Sequence, residues 1–250
     1  MPGPHASLAV MSLERARWGS PATNTPGPDA ASGVEPVSSF SGILSLVLEE
    51  RLAALTVSRL VVGAEDRAAF FPTSNGAVLV VADGAGGMGG GAATAEALVA
   101  AVGSALDVQS AQGWATLLEM FDAGQHLGET TAVVCSIIDD QIVGASVGDS
   151  GAWRIDHREP VSIVDLTHAQ RRKPLLGSGR AVVVPFAARL GDTTLLLASD
   201  GLLKYAPADR IAACLRGTDL DMAAGELLGL VRLRSGALPD DFSVLLARRR

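Results

Sequence analysis

"TTAVVCSIIDDQIVGASVGDSGAWRI", residues 130–155, decides between two kinds of fold. Three apolar runs rich in β-branched residues follow one another, with only Asp-Asp and Gly-Asp-Ser between them. Val, Ile and Thr suit a pleated, half-buried surface, and Asp and Gly interrupt it with turns. No helix-length segment separates the runs. Successive parallel strands need a crossover of a dozen or more residues, so a doubly wound sheet is not favoured. The stretch predicts a meander of antiparallel strands.

Working outward, "LTVSRLVVG" (55–63), "AVLVVAD" (77–83), "RAVVVPF" (180–186), "TTLLLASDG" (193–201) and "DFSVLLARR" (241–249) read as further strands. Helical patterning is confined to Ala92–Val102, Gln109–Phe121, Ala208–Leu215 and Asp219–Leu233. In the second of these, Trp114, Leu117, Leu118 and Phe121 recur at helical spacing. Strands in hairpins with helices grouped outside predict an α+β fold. At 250 residues and 48% hydrophobic, the chain has enough apolar surface for a sizeable core. Six of the prolines fall before residue 40, in a stretch that buries little apolar surface per residue ordered. The expected division is therefore a flexible leader over 1–40 and one domain over 41–250.

A net charge of −7 argues against a general nucleic-acid binder. No apolar run approaches the length of a membrane span and no signal-peptide pattern emerges, so neither nucleic acid nor membrane is an expected partner. Cys135 and Cys214 both lie in apolar contexts, which predicts free thiols in a reducing, cytoplasmic setting.

The informative residues are acids at the ends of apolar runs. Asp83 closes "VVADG", Asp200 closes "LLASDG", and Asp149 sits in "SVGDSG". Asp240 and Asp241 open the last strand, and Glu65 and Asp66 interrupt "VVGAEDRAAFF". Asp-Gly is also an ordinary turn dipeptide, so any one of these acids taken alone reads first as a solvated turn, and only the recurrence at five sites argues for more. If they converge, two carboxylates ~4 Å apart repel by about 4 kcal/mol at an effective dielectric of 20. Protonation or a cation must then relieve the repulsion. Oxygen donors without His or Cys favour Mg²⁺ or Mn²⁺. A rival reading rests on Gly84, Gly86 and Gly89, which satisfy G-x-G-x-x-G, with Asp107 near the place of a ribose-binding acid. In that reading Asp83 would face a pyrophosphate.

The ordered set "EDRAAFF", "VVADGAGG", "ETTAVV…ASVGDS", "LLLASDGL" and "DDFSVLLARR" resembles the metal-dependent type 2C protein phosphatases, in their bacterial form. The resemblance spans about Leu55 to Arg248. It implies a two-sheet β-sandwich flanked by helices on both sides. It also implies two divalent cations, Mn²⁺ or Mg²⁺, with a weak third. Asp66, Asp83, Asp200 and Asp240 would supply metal-site carboxylates, Asp83 bridging the ions, and the Gly84 carbonyl would ligate one. Glu65 would stand one layer out, and Asp149 would serve the third ion. The implied activity is hydrolysis of phosphoserine or phosphothreonine on a protein, the substrate of a Ser/Thr kinase, by water activated between the metals. By the same resemblance Asp83, Asp200 and Asp240 would carry that chemistry.

The chain departs from the family pattern in four places. Val61 stands where many relatives carry a phosphate-binding arginine. Arg59 and Arg67 would share the strand face of Glu65 if the strand is regular, and so would substitute for it. Ala85 stands where some relatives carry a histidine, and Lys204 where an acid often supports the third metal, which counts against a third ion in this chain. The flap of many relatives is reduced to "THAQRRKPLLGSGR", 167–180, in which Arg171, Arg172 and Lys173 are candidates for docking a phosphopeptide. Two alternatives stay open: a catalytically weak binding module, and a hydrolase of small phosphoesters.

Overall fold

The computed structural model describes residues 48–51, 55–86, 89–217 and 219–250. The leader expected over 1–40 lies outside them.

Eleven strands and five helices make up the described chain. In order they are β1 (Leu48–Arg51), β2 (Leu55–Val62), β3 (Arg67–Thr73), β4 (Gly76–Ala82), α1 (Gly91–Gly103), α2 (Ala111–Asp122), β5 (Ala132–Ile138) and β6 (Gln141–Val147), then β7 (Gly151–Asp156), β8 (Ser162–Asp165), β9 (Val184–Arg189), β10 (Thr194–Ala198), α3 (Asp200–Leu203), α4 (Ala208–Cys214), α5 (Leu220–Val231) and β11 (Phe242–Arg249). A six-stranded sheet has the order β1-β2-β11-β10-β7-β8, and a five-stranded sheet has the order β3-β4-β5-β6-β9. Every pairing is antiparallel.

The strands read as continuous apolar runs because both faces of each sheet are covered. Successive side chains on a strand point to opposite faces. On β4, Leu79 and Val81 meet Leu195, Leu197 and Leu245 of the other sheet. The alternate residues Val78 and Val80 pack outward against Leu98 and Val102 of α1 and Trp114 and Leu118 of α2. Leu196, Val244 and Leu246 point outward from the six-stranded sheet onto Ile211 of α4 and Leu227 of α5. The layers are therefore helix, sheet, sheet, helix. Antiparallel neighbours on both sides of β4 exclude a βαβ unit, and with it the dinucleotide reading of Gly84, Gly86 and Gly89.

Three expectations about the elements need correction. β5 and β6 form a hairpin, but β7 is not the third strand of a meander: the chain crosses to the other sheet at 148–150. Gly148 makes the crossing with φ +94°, a left-handed conformation that a glycine adopts without steric cost. The strand expected in "RAVVVPF" begins only at Val184, because the backbone before it is bent around a side chain: the N–H groups of Gly177, Gly179 and Ala181 all donate to the Asp122 carboxylate. The chain from Arg59 to Arg67 is not one regular strand. β2 ends at Val62 in one sheet and β3 starts at Arg67 in the other, so Arg59, Glu65 and Arg67 share no strand face.

Candidate metal centre

The strand registers bring the acids to one edge of the sandwich. Val62 at the end of β2 lies opposite Phe242 at the start of β11, and Ala198 at the end of β10 lies opposite Gly151 at the start of β7. In the second sheet Arg67 faces Ala82, and Ala132 faces Val147. Asp66, Asp83, Asp149, Asp200 and Asp240 each lie just beyond one of these ends. They arrive from both sheets, so the cluster sits on the seam between them.

Burial and mutual repulsion dominate its electrostatics. Asp66 is 1% exposed, and neither of its carboxylate oxygens has a hydrogen-bond partner. Burial, and next the charge of Asp241, push its pKa up to about 6; the nearby Ser199 and Ser243 hydroxyls pull it down without closing a hydrogen bond to it. Burial first, then Asp66, Asp200, Asp240 and Asp149 in turn, push Asp83 up to about 8. Asp200 is raised by burial, Asp149 and Asp240, against the opposing charges of Lys204 and Arg172. Among the described residues, no three of these acids close on one point as a finished cage. An orphaned buried carboxylate beside a second one that resists ionising, with only oxygen donors around, fits a hard divalent cation better than zinc. Cys135 offers no competing nucleophile: it is fully buried, and burial pushes its thiol up to about 12.

The glycine cluster lets the backbone pass close. A Cβ on Gly84 would lie 2.5 Å from the Gly91 carbonyl carbon, so the loop presses onto the first turn of α1. A Cβ on Gly86 would lie 2.4 Å from the Glu65 carboxylate, which places Glu65 against this loop. Two threonines hold the Asp83 backbone. Its N–H donates to Thr131 Oγ1 at 2.9 Å, and its carbonyl accepts from Thr131 N at 2.8 Å and Thr130 Oγ1 at 2.9 Å. Thr130 also bridges to Gly84 on one side and Leu176 on the other. The short segment after β8 is thus stitched to the loop that follows Asp83.

The arginines are mostly engaged elsewhere. Arg59 donates to the Ala68 carbonyl at 3.0 Å. Arg67 donates to the Ala64 and Asp66 carbonyls, both at 2.8 Å, and pairs with Glu96 of α1 at 2.6 Å. It therefore braces the turn that carries Asp66. Arg172 contacts Asp149 Oδ2 through Nε at 2.8 Å and Nη2 at 2.7 Å. Lys204 Nζ lies 3.9 Å from Asp200 Oδ2. Arg171 is exposed. Lys173 lines a cavity of about 350 Å³ with Ala85, His126, Glu129 and Gly177. Asp240 is exposed at the rim, while Asp241 accepts from Ala64 N at 2.8 Å and Glu65 N at 2.6 Å. The sequence reading missed Asp122 and Thr130–Thr131. No local signal marks Asp122, since its partners lie 55 to 59 residues away.

This architecture is that of the bacterial PPM-type serine/threonine phosphatases. Solved structures that share it include the serine/threonine phosphatase Stp1 from Staphylococcus aureus, 21% identical with a TM-score of 0.61, over 83% of this chain and 95% of that one. RsbX in complex with magnesium is 14% identical with a TM-score of 0.64, over 82% and 100%. The catalytic domain of the serine threonine protein phosphatase PstP in complex with two manganese ions is 18% identical with a TM-score of 0.60, over 78% and 98%. At these identities the likeness is one of fold. No family model and no curated protein matches the sequence. Among the described residues, no helix is long and apolar enough to cross a membrane.

Proposed function

We propose that the chain is a type 2C phosphatase that removes phosphate from phosphoserine or phosphothreonine on a protein, with Mn²⁺ or Mg²⁺ as its cofactor. The observation that carries this reading is Asp66: a carboxylate 1% exposed, without a hydrogen-bond partner, beside Asp83. Such a pair needs positive charge from outside the chain. Asp66, Asp83, Asp200 and Asp240, with the Gly84 carbonyl, would hold two ions. When bound, such ions lower the pKa of a water and offset charge on the phosphoryl oxygens.

The chain's own residues then do three things. Thr130 and Thr131 fix the Asp83 backbone, and Arg67 fixes the turn of Asp66, so two carboxylates at the same end of the paired strands β3 and β4 keep a set separation. Asp241 holds the backbone of Ala64 and Glu65 beside them. The cavity at Ala85 offers room for a residue flanking the phosphorylated one, with Lys173 and Glu129 on its wall. Residues 1–40 take no part in this scheme. A chain beginning at Ser41 should keep its turnover of p-nitrophenyl phosphate. The free thiols fit a cytoplasmic enzyme acting opposite a Ser/Thr kinase.

The test is turnover of a phosphothreonine peptide and of p-nitrophenyl phosphate by the full chain. Activity should be lost in EDTA, restored by Mn²⁺ or Mg²⁺, and absent from Asp83→Asn. Small-ester turnover without peptide turnover would point to a small-molecule hydrolase. A second reading, a weak or inactive binding module, draws support from the engaged arginines: Arg59, Arg67 and Arg172 all have partners within the chain. A folded protein that binds Mn²⁺ yet turns over neither substrate would favour it.

A further inference from the structure

The donors for a third cation do not fit one here, and the mismatch has a physical reading of its own. Asp149, the acid expected to serve that ion, already has a cation. Arg172 reaches it with two donor nitrogens, at 2.7 and 2.8 Å, both on Oδ2. Arg172 is also near enough to Asp200 to oppose the raising of that carboxyl. From the other side, Lys204 sits one helical turn after Asp200, at 3.9 Å. Two positive side chains therefore flank the Asp149–Asp200 side of the cluster. On the Asp66–Asp83 side, no lysine or arginine nitrogen is paired with either carboxylate among the described residues, and Asp66 is unpartnered.

We infer that Arg172, with Lys204, takes the place of a third metal ion, leaving a two-ion centre whose outer edge is neutralised by the chain itself. This rests on the metal-centre reading proposed above. The physical argument is competition. An ion approaching Asp149 must displace a guanidinium that satisfies the same oxygen, and it must come close to the Lys204 ammonium beside Asp200. Exposed ion pairs are individually weak, but they suffice against an ion that would bind only at millimolar concentration. The short segment that carries Arg172, 167–180, is held over this edge from its far side: Leu176 is bridged to Thr130, and Asp122 holds the turn beyond it.

The test counts bound ions rather than turnover. The full chain is titrated with Mn²⁺ to low millimolar concentration, and free Mn²⁺ is read by its electron paramagnetic resonance signal. Wild type should bind two ions. Arg172→Ala combined with Lys204→Ala should gain one more, at millimolar affinity. Arg172→Lys, which keeps the charge, should stay at two. Both side chains are largely exposed, so the variants should fold, and circular dichroism checks that they do. Three ions on wild type, or two on the double variant, overturn the inference while leaving the metal-centre reading intact. No binding to wild type overturns both.

Discussion

Asp240 and Asp241 are adjacent, yet they face different tasks. Asp241 accepts two backbone N–H groups, from Ala64 and Glu65, while Asp240 adds its charge to Asp83 and Asp200. Asp240→Ala should lower kcat/KM by at least about a hundredfold, since even outer partners of metal ligands cost 10–100-fold. Asp241→Asn keeps an acceptor oxygen and should cost only a few-fold. Asp241→Ala removes the acceptor of two N–H groups in a largely exposed turn, and should lose about 1 kcal/mol in a denaturant melt. A crippled Asp241→Asn with a healthy Asp240→Ala would reverse the assignment. At this scale the acids were legible, because a carboxylate that ends an apolar run must be doing something with its charge. The fates of the arginines were not. The bond from Arg172 to Asp149 spans 23 residues, and nothing local in "QRRKP" encodes it.

Between elements, Asp122 is the tie that matters most. It is 6% exposed at the end of α2 and accepts from three backbone N–H groups of the 177–181 turn, at 2.8 to 3.0 Å. The same turn leads to Leu176, which is bridged to Thr130 and so to Gly84. Asp122→Ala should leave three donors unpaired and cost roughly 1–3 kcal/mol or more. It should also raise KM for peptide more than for p-nitrophenyl phosphate, because the turn borders the cavity at Gly177. Equal losses on both substrates would make the tie purely structural. Periodicity found most elements, including α1, α2, α4 and α5 within a few residues. It missed β1, β8 and α3, each four residues long and too short to show a period. It placed β9 early, since "AVVV" looks like a strand until Asp122 claims the N–H of Ala181.

For the molecule as a whole, the raised acids link metal, proton and fold. Asp66 titrates near 6 and Asp83 near 8, against about 3.8 in an unfolded chain. The folded state therefore binds protons that the unfolded state has released, and stability falls as pH rises. Without metal, the contribution of these two acids is present below about pH 4 and is lost as pH passes through about 6 and then about 8. In EDTA the melting temperature should drop between mildly acidic and mildly alkaline buffer. Saturating Mg²⁺ should restore it, with the larger gain at the alkaline end, where no proton competes. Asp83→Asn should flatten both effects. A wild-type melting temperature that ignores metal at every pH would mean the acids form no site.

The position of the cluster on the seam has one more consequence. Its charges are spaced by whatever separates the two sheets, and that gap is filled by Leu79, Val81, Leu195, Leu197 and Leu245. Sheets pack about 10 Å apart, and side-chain volume sets the figure. These five side chains thus act as shims that gauge the distance between Asp83 on one plate and Asp200 on the other. Shaving a methylene from the middle of the sandwich would detune the chemistry at its rim without touching an acid.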